Sequence, residues 1–318
     1  MDGTEEALHI MTKELPKEGT TSFLATTMTQ DPANIKKALE AVHRFTREGN
    51  PAGETELLGV HLEGPFINPA KAGAQPLHHI INPNVELFTE WNEASGKAIK
   101  LVTLAPEQPG ANELIKHLKN AGIISSMGHT NASYQQAEQG IEQGVTHATH
   151  LFNQMSGLHH RDIGAAGAAL LQNPVYVEII GDGIHVSPEM VKLAIQLKGM
   201  EETILITDAM RAKGMEDGQY DLGGQEVTVE GNEARLADGT LAGSILKMND
   251  ALKNVSQYTG YPLHQVVQMA SANPAKQMNV FDRKGSITVG KDADLVIMDT
   301  NFSVSTTICR GKIAYRGE

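Results

Sequence analysis

The sequence predicts an α/β fold of the (β/α)8 barrel kind, on three observations. Short β-rich runs alternate with helical patterns between residues 20 and 210, as parallel βαβ units do. Several of those runs end in residues able to do chemistry: Glu63, His129, His150, His185 and Asp208. Polar ends on many different strands point to a barrel, whose site is assembled from them, whereas a doubly wound sheet gathers its site at one switch point.

In chain order, Met1 to Pro16 reads as a helix. The strand runs follow as TTSFLATT (20–27), ELLGVHLEG (56–64), KLVTLAP (100–106), GIISSMGHT (122–130), VTHATHLFN (145–153), VYVEIIGDGIHV (175–186) and ETILITDAM (202–210). Helical patterns lie between them at 34–48, 112–120, 133–143 and 188–198. This makes seven strands where a closed barrel has eight, so the first barrel strand is expected to be missing, ahead of Thr20. Turn signals at Gly223-Gly224, Glu230-Gly231-Asn232 and Asp238-Gly239 make 218–243 a hairpin excursion. Helical segments are expected over 245–259 and 263–270, the second entered through Pro262. The tail from Lys284 reads as short strands and turns, dividing the chain into a barrel over 1–283 and a small β domain segment over 284–318.

A chain of 318 residues, 40% hydrophobic and 20% charged, has ample material for a large core. Its formal charge of -12 speaks against nonspecific binding to nucleic acid or to an anionic membrane, and an anionic ligand needs a local cluster of cations or N–H groups. The single cysteine, Cys309, excludes an internal disulfide. With neither a signal-type apolar stretch nor a membrane-length one, the expected compartment is the cytoplasm. Thirteen histidines, most of them at the ends of apolar segments, give the first indication of metal chemistry.

Alternate residues of a strand share a face, so His61 and Glu63 of LLGVHLEGPF point the same way, next to buried Leu and Val. A lone carboxylate there is costly to bury without a cation or a hydrogen-bonding partner. Glu63, His129 and His150 supply one carboxylate and two imidazoles from three strand ends, the ligand set of a catalytic divalent site that makes hydroxide available near neutral pH. Asp208, immediately after the ILIT run of 204–207, is then the proton shuttle. Taken singly, each histidine is more often a hydrogen-bonded structural residue, and each carboxylate a salt-bridge partner or helix cap. Four able residues at the strand ends of one barrel change those odds. His61 lies one layer deeper and is expected to support the ligands. His147, three residues from His150, falls on the opposite face of the strand and reads as structural; His159 and His160 read as loop surface, and the methionines as core filler.

The segments HLEGPF, SMGHT, THLFNQMSGLHHRDIG, GDGIHV, LITDAMRAKG and GTLAGS, in that order, resemble the N-acetylglucosamine-6-phosphate deacetylases of the amidohydrolase superfamily, and the tail GSITVGKDADLVIMD resembles that superfamily's β-domain ending. The resemblance implies that Glu63, His129 and His150 ligate the metal, that Asp208 is the catalytic acid/base, and that His185 polarises the acetyl carbonyl. It implies that Ala74, Asn153 and Gln154 contact sugar and phosphate, that Arg161 binds phosphate, and that Leu241, Ala242 and Gly243 lie over the substrate. It further implies a homodimer with the phosphate pocket near the subunit interface. Two features depart from the family pattern. Gln154 replaces a common alanine and would narrow the sugar pocket if it points inward. The family's opening β strands and His-x-His strand find no counterpart in these residues, so at most one divalent ion per subunit is expected, zinc or iron.

The expected reaction is hydrolysis of N-acetyl-D-glucosamine 6-phosphate to D-glucosamine 6-phosphate and acetate, in amino-sugar catabolism and cell-wall sugar recycling. The rivals are an N-acetylgalactosamine-6-phosphate deacetylase and a truncated remnant that binds metal without turnover. A metal-independent phosphosugar aldolase or isomerase would want a lysine or a carboxylate base at a strand end, and the sequence has no strand-end lysine.

Overall fold

The structure, a computed structural model, describes residues 1–317. Helix α1 (Glu5–Glu14), with Thr4 capping the Ala7 N–H, leads into β1 (Ser22–Thr27). Strand and helix then alternate: α2 (Pro32–Glu48), β2 (Glu56–Glu63), α3 (Val85–Ala94), β3 (Ile99–Leu104), α4 (Ala111–Asn120), β4 (Ile124–Met127), α5 (Tyr134–Gln143), β5 (Val145–Ala148), α6 (Gly164–Leu171), β6 (Tyr176–Ile180), α7 (Pro188–Lys198) and β7 (Thr203–Ile206). Local chemistry sets these limits. In α2, Asp31 caps the Ala33 N–H ahead of Pro32, and Ile35, Leu39, Val42 and Phe45 bury one stripe. Helix α5 opens with a capping box between Ser133 and Gln136.

All seven strands pair in parallel, each with its successor, in one sheet ordered β1 to β7. The strand order never reverses, so the sheet curls as a half-barrel with helices rather than lying as a doubly wound sheet. Strands β1 and β7 are its edges, and a cleft of about 2160 Å³ is lined by both, from Thr21 to Met28 and from Ile204 to Met210.

Two helices between the strands escape the sequence reading, for different reasons. Helix α6, GAAGAALL, buries every residue from Gly164 to Leu170 and so has no polar face to set a period. Helix α3 shows only Phe88 and Trp91 as buried anchors, too few for a pattern.

After β7 the expected excursion forms a three-stranded antiparallel sheet, β8 (Gly218–Leu222), β9 (Gln225–Glu230) and β10 (Glu233–Leu236). Its inner side packs Val227, Val229 and Ala234 against Met210, Ala212 and Ala242. Gln225 Nε2 donates to the Ala74 carbonyl at 2.6 Å, so the excursion leans on the loop that follows β2. Helix α8 (Met248–Thr259) and two short helices, α9 (Leu263–Val266) and α10 (Ala272–Gln277), complete the helical part. The tail forms an antiparallel sheet of β11 (Leu295–Met298), β12 (Val304–Cys309) and β13 (Lys312–Arg316). It docks on segments leading into β1 and β2, where the Thr307 hydroxyl donates to Pro16 O at 2.7 Å and Arg310 to Asn50 O at 2.8 Å. No helix among the described residues is long and apolar enough to cross a membrane.

Candidate functional site

Glu63 is the last residue of β2, and the chain leaves it through Gly64 at φ 72, where a Cβ would lie 2.2 Å from the Thr29 hydroxyl oxygen. Only glycine fits that turn, which accounts for the abrupt end of the HLEGPF strand. His129, His150 and Asp208 each stand two residues past a strand, and all three have left-handed backbone, with φ of 47, 32 and 48. That conformation costs a non-glycine residue roughly 1–3 kcal/mol and persists only where the surroundings enforce it. Here Asn68 N–H donates to His129 O at 2.9 Å, Asn153 N–H to His150 O at 3.0 Å and Ser244 N–H to Asp208 O at 2.8 Å.

Three side-chain atoms converge. His129 Nε2 lies 3.0 Å from Glu63 Oε1, His150 Nε2 lies 3.5 Å from the same oxygen, and the two Nε2 atoms are 3.2 Å apart. His129 Nδ1 sits 2.8 Å from the Lys71 carbonyl, which can only accept, so Nδ1 donates there and Nε2 is the atom left to face Glu63. A carboxylate oxygen and two imidazole nitrogens at these separations must share positive charge, either protons on the rings or a metal cation. Ligands about 2.1 Å from a tetrahedral divalent ion are themselves roughly 3.4 Å apart, so the triad fits a metal. Gln75 braces it: its Nε2 donates to Glu63 Oε1 at 3.1 Å while its Oε1 accepts the Thr29 N–H at 2.7 Å.

All three groups of the triad are buried. Burial would raise the Glu63 carboxyl, yet the hydrogen bonds and charge of His129 and His150 hold it well below the carboxylate range. Burial likewise works to lower His150, but Glu63 prevails and pushes it up to about 9. Asp208 is pushed up to about 7, first by burial and then by the neighbouring Glu63 charge.

Beneath the triad the barrel interior is polar. His61 Nε2 meets the Thr103 hydroxyl at 2.7 Å, and that hydroxyl continues through Thr149 to Ser126 at 2.6 Å per step. His61 thus bonds within this polar layer rather than to a member of the triad. His147 departs from expectation: it points inward, with Nε2 2.9 Å from Glu178 Oε1, and lines the same cleft as His150. The alternation rule fails because β5 ends at Ala148, and His150 belongs to the turn beyond it. Glu178 Oε2 also accepts the His150 N–H at 3.2 Å, tying the histidine turn to β6.

Asp208, His185, Ala74, Asn153, Gln154, Leu241 and Gly243 all line the cleft that contains the triad. Gln154 presses on the loop after β2, where a Cβ on Gly73 would meet its Cγ at 2.7 Å, so its side chain does lie along the cleft wall. Ala242 is instead fully buried in the small core under β9 and β10. Arg161 stands outside the lining on an exposed loop, its Nη1 2.7 Å from His160 Nε2. The sequence reading passed over Gln75, Glu178 and Asp182. Glu178 was detectable as a charge in inward phase within the apolar VYVEII run, and Asp182 by its spacing of three from His185; Gln75 carries no such signal.

The amidohydrolase family pattern matches residues 2–314. Over 317 residues the chain is 51% identical to the N-acetylglucosamine-6-phosphate deacetylase of Bacillus subtilis (strain 168), covering 99% of this chain and 80% of that protein. The crystal structure of N-acetylglucosamine-6-phosphate deacetylase from Pasteurella multocida superposes with a TM-score of 0.93 at 33% identity, over 98% of this chain and 80% of that one. A mutant of the Mycobacterium smegmatis enzyme, in complex with N-acetyl-D-glucosamine-6-phosphate, gives a TM-score of 0.93 at 32% identity, over 98% of this chain and 81% of that one.

Proposed function

The chain belongs to the amidohydrolase family, and from that premise we propose that it hydrolyses the acetamide of N-acetyl-D-glucosamine 6-phosphate, giving D-glucosamine 6-phosphate and acetate in amino-sugar catabolism and cell-wall sugar recycling. The observation that carries this reading is the convergence of acceptor atoms from Glu63, His129 and His150 in one cleft with Asp208 and His185. A divalent ion held by the triad, zinc or iron and one per subunit, supplies Lewis acidity that polarises a carbonyl and acidifies water.

The chain's own groups do the rest. Asp208 accepts the proton of the attacking water and returns it to the departing amine. His185 faces the acetyl oxygen, where a well-placed donor is worth roughly 3–4 kcal/mol as negative charge develops. Ala74, Asn153 and Gln154 contact the sugar and phosphate largely through backbone groups, and the segment Leu241–Gly243 lies over the substrate. Arg161, exposed and outside the lining, holds the phosphate near the interface of a homodimer. The bound phosphate orients the acetyl group against Asp208 and His185. The compartment is the cytoplasm.

In the same reading the half-barrel of residues 1–283 is part of a (β/α)8 barrel, followed by the small β segment of 284–318. The unpaired edges β1 and β7 and the cleft they share support this.

Acetate release by the purified chain tests the reaction. N-acetylglucosamine 6-phosphate should be turned over in preference to its unphosphorylated form and to N-acetylgalactosamine 6-phosphate. A preference for the galacto epimer would move the assignment to that sugar, and absence of turnover on all three would refute it.

A further inference from the structure

The turn after β6 runs Gly181-Asp182-Gly183-Ile184-His185, and one carboxylate organises it. Asp182 Oδ1 accepts the backbone N–H groups of Ile184 at 2.8 Å and His185 at 2.9 Å, while Oδ2 lies 2.5 Å from His185 Nδ1. Both side chains are only 8% exposed, so the pair is held by the protein rather than by solvent. Gly183, at φ 76, closes one side: a Cβ there would lie 2.6 Å from the Tyr258 hydroxyl oxygen. The ring's other nitrogen, Nε2, has no protein partner among the described residues, and His185 lines the cleft.

Tautomer chemistry then restricts what His185 can do. An ionised carboxylate only accepts, so Nδ1 is the donor in this pair. A neutral ring with its proton on Nδ1 presents a bare lone pair at Nε2, which repels a carbonyl oxygen. Donation to the acetyl oxygen therefore requires a second proton, on Nε2. A cationic ring inside the protein needs a buried anion beside it, and Asp182 is placed to be that anion. The ring in turn holds the Asp182 carboxyl below its ordinary range against the opposing effect of burial. The other titratable groups near the pair are Asp208, from the end of β7, and the Tyr258 hydroxyl of α8.

We propose that Asp182 is a positioning residue that keeps His185 doubly protonated, so that a charged Nε2–H, not a neutral one, meets the acetyl oxygen. This deepens the deacetylase reading and rests on it. A division of labour follows. A ring already carrying both protons cannot take one from water, so water's proton passes to Asp208 and from there to the amine nitrogen as the C–N bond breaks, while His185 begins and ends the cycle unchanged.

Nitrogen-15 NMR of ring-labelled histidine in the whole protein reads the protonation directly, with the His185 signals assigned by their loss in His185→Gln. The expected result at the pH of turnover is protons on both Nδ1 and Nε2. In Asp182→Asn the amide oxygen still accepts the two backbone N–H groups, but the amide NH₂ faces Nδ1 and forces the neutral Nε2–H tautomer. That variant should show the tautomer switch, with kcat lower by roughly 10- to 100-fold and KM little changed. A singly protonated wild-type ring throughout the pH range of turnover would overturn the assignment, as would an Asp182→Asn enzyme with unchanged kcat. The spectrum is recorded on resting protein, so it decides the state of the pair even if the substrate reading fails.

Discussion

Strand β2 carries a glutamate at each end, and the two stand in opposite environments. Glu56, where the strand begins, is met by Arg283 through two hydrogen bonds of 2.9 and 3.0 Å and by Lys284 at 2.7 Å. Those cations also pair with Asp292 and Asp294, joining the segment before β11 to the base of the barrel. Glu63, seven residues on, is surrounded by His129, His150 and Gln75, and among the described residues no lysine or arginine pairs with Glu63, Glu178 or Asp208. One cluster is supplied with fixed cations and needs nothing more. The other gathers carboxylates among imidazoles, which supply positive charge only when protonated, and so is left open to a metal ion. The contrast follows the general division of such barrels, in which the end where strands begin serves stability and the end where they finish serves chemistry.

The largest effect is expected at Glu63. Glu63→Gln should empty the metal site and lower turnover by about a thousandfold, the equivalent of several kcal/mol of lost charge stabilisation. Metal analysis beside an acetate assay checks it, and stoichiometric metal with full activity would remove Glu63 from the ligand set. Asp208→Asn should keep its metal while losing roughly 10²- to 10⁴-fold in kcat, the range of a lost general acid/base. Near-normal rates would exclude Asp208 from proton transfer. Arg161→Ala should act mainly on KM for the phosphorylated sugar, by about 10- to 100-fold, consistent with a charged hydrogen bond worth roughly 1.5–3 kcal/mol. An unchanged preference for phosphorylated over free sugar would show that the phosphate is held elsewhere.

At the other end of β2 the effect is smallest and concerns stability alone. Hydrogen bonds and charge from Arg283 and Lys284 overcome burial and depress the Glu56 carboxyl below its ordinary 4.5. A depressed carboxyl contributes stability that is fully present above its ordinary pKa and is lost as the pH falls through the lower, folded value. Glu56→Gln should therefore cost about 1–3 kcal/mol near pH 7, less than the roughly 3–5 of a fully buried broken pair because this one is partly exposed. The difference from wild type should vanish in acid, and metal content should stay unchanged. Urea unfolding at several pH values reads both.

How far the sequence foretold this depends on the kind of signal. Strands ending in polar residues announce themselves, because an apolar run interrupted by Glu63 or His129 breaks a pattern. Helix α6 did not, since a helix buried all round has no amphipathic period. In the same way, alternation placed His61 and Glu63 together correctly along a regular strand and failed for His147 and His150, which straddle the end of β5. Partners brought together only by folding, such as Gln75 on Glu63 or Arg283 on Glu56, leave no trace in local spacing. Arg161 shows the opposite limit: a residue matched by resemblance lies outside the cleft of the single chain, where neither spacing nor burial speaks for a role.

A carboxylate–imidazole cluster without fixed cations should take up a divalent ion and use it. Acetate release from N-acetylglucosamine 6-phosphate, followed on the purified chain before chelation, after chelation and after zinc or iron is restored, tests it most directly. Loss of turnover on chelation and recovery at one equivalent of metal per chain is the predicted result. Undiminished turnover by protein shown to hold no metal would contradict it.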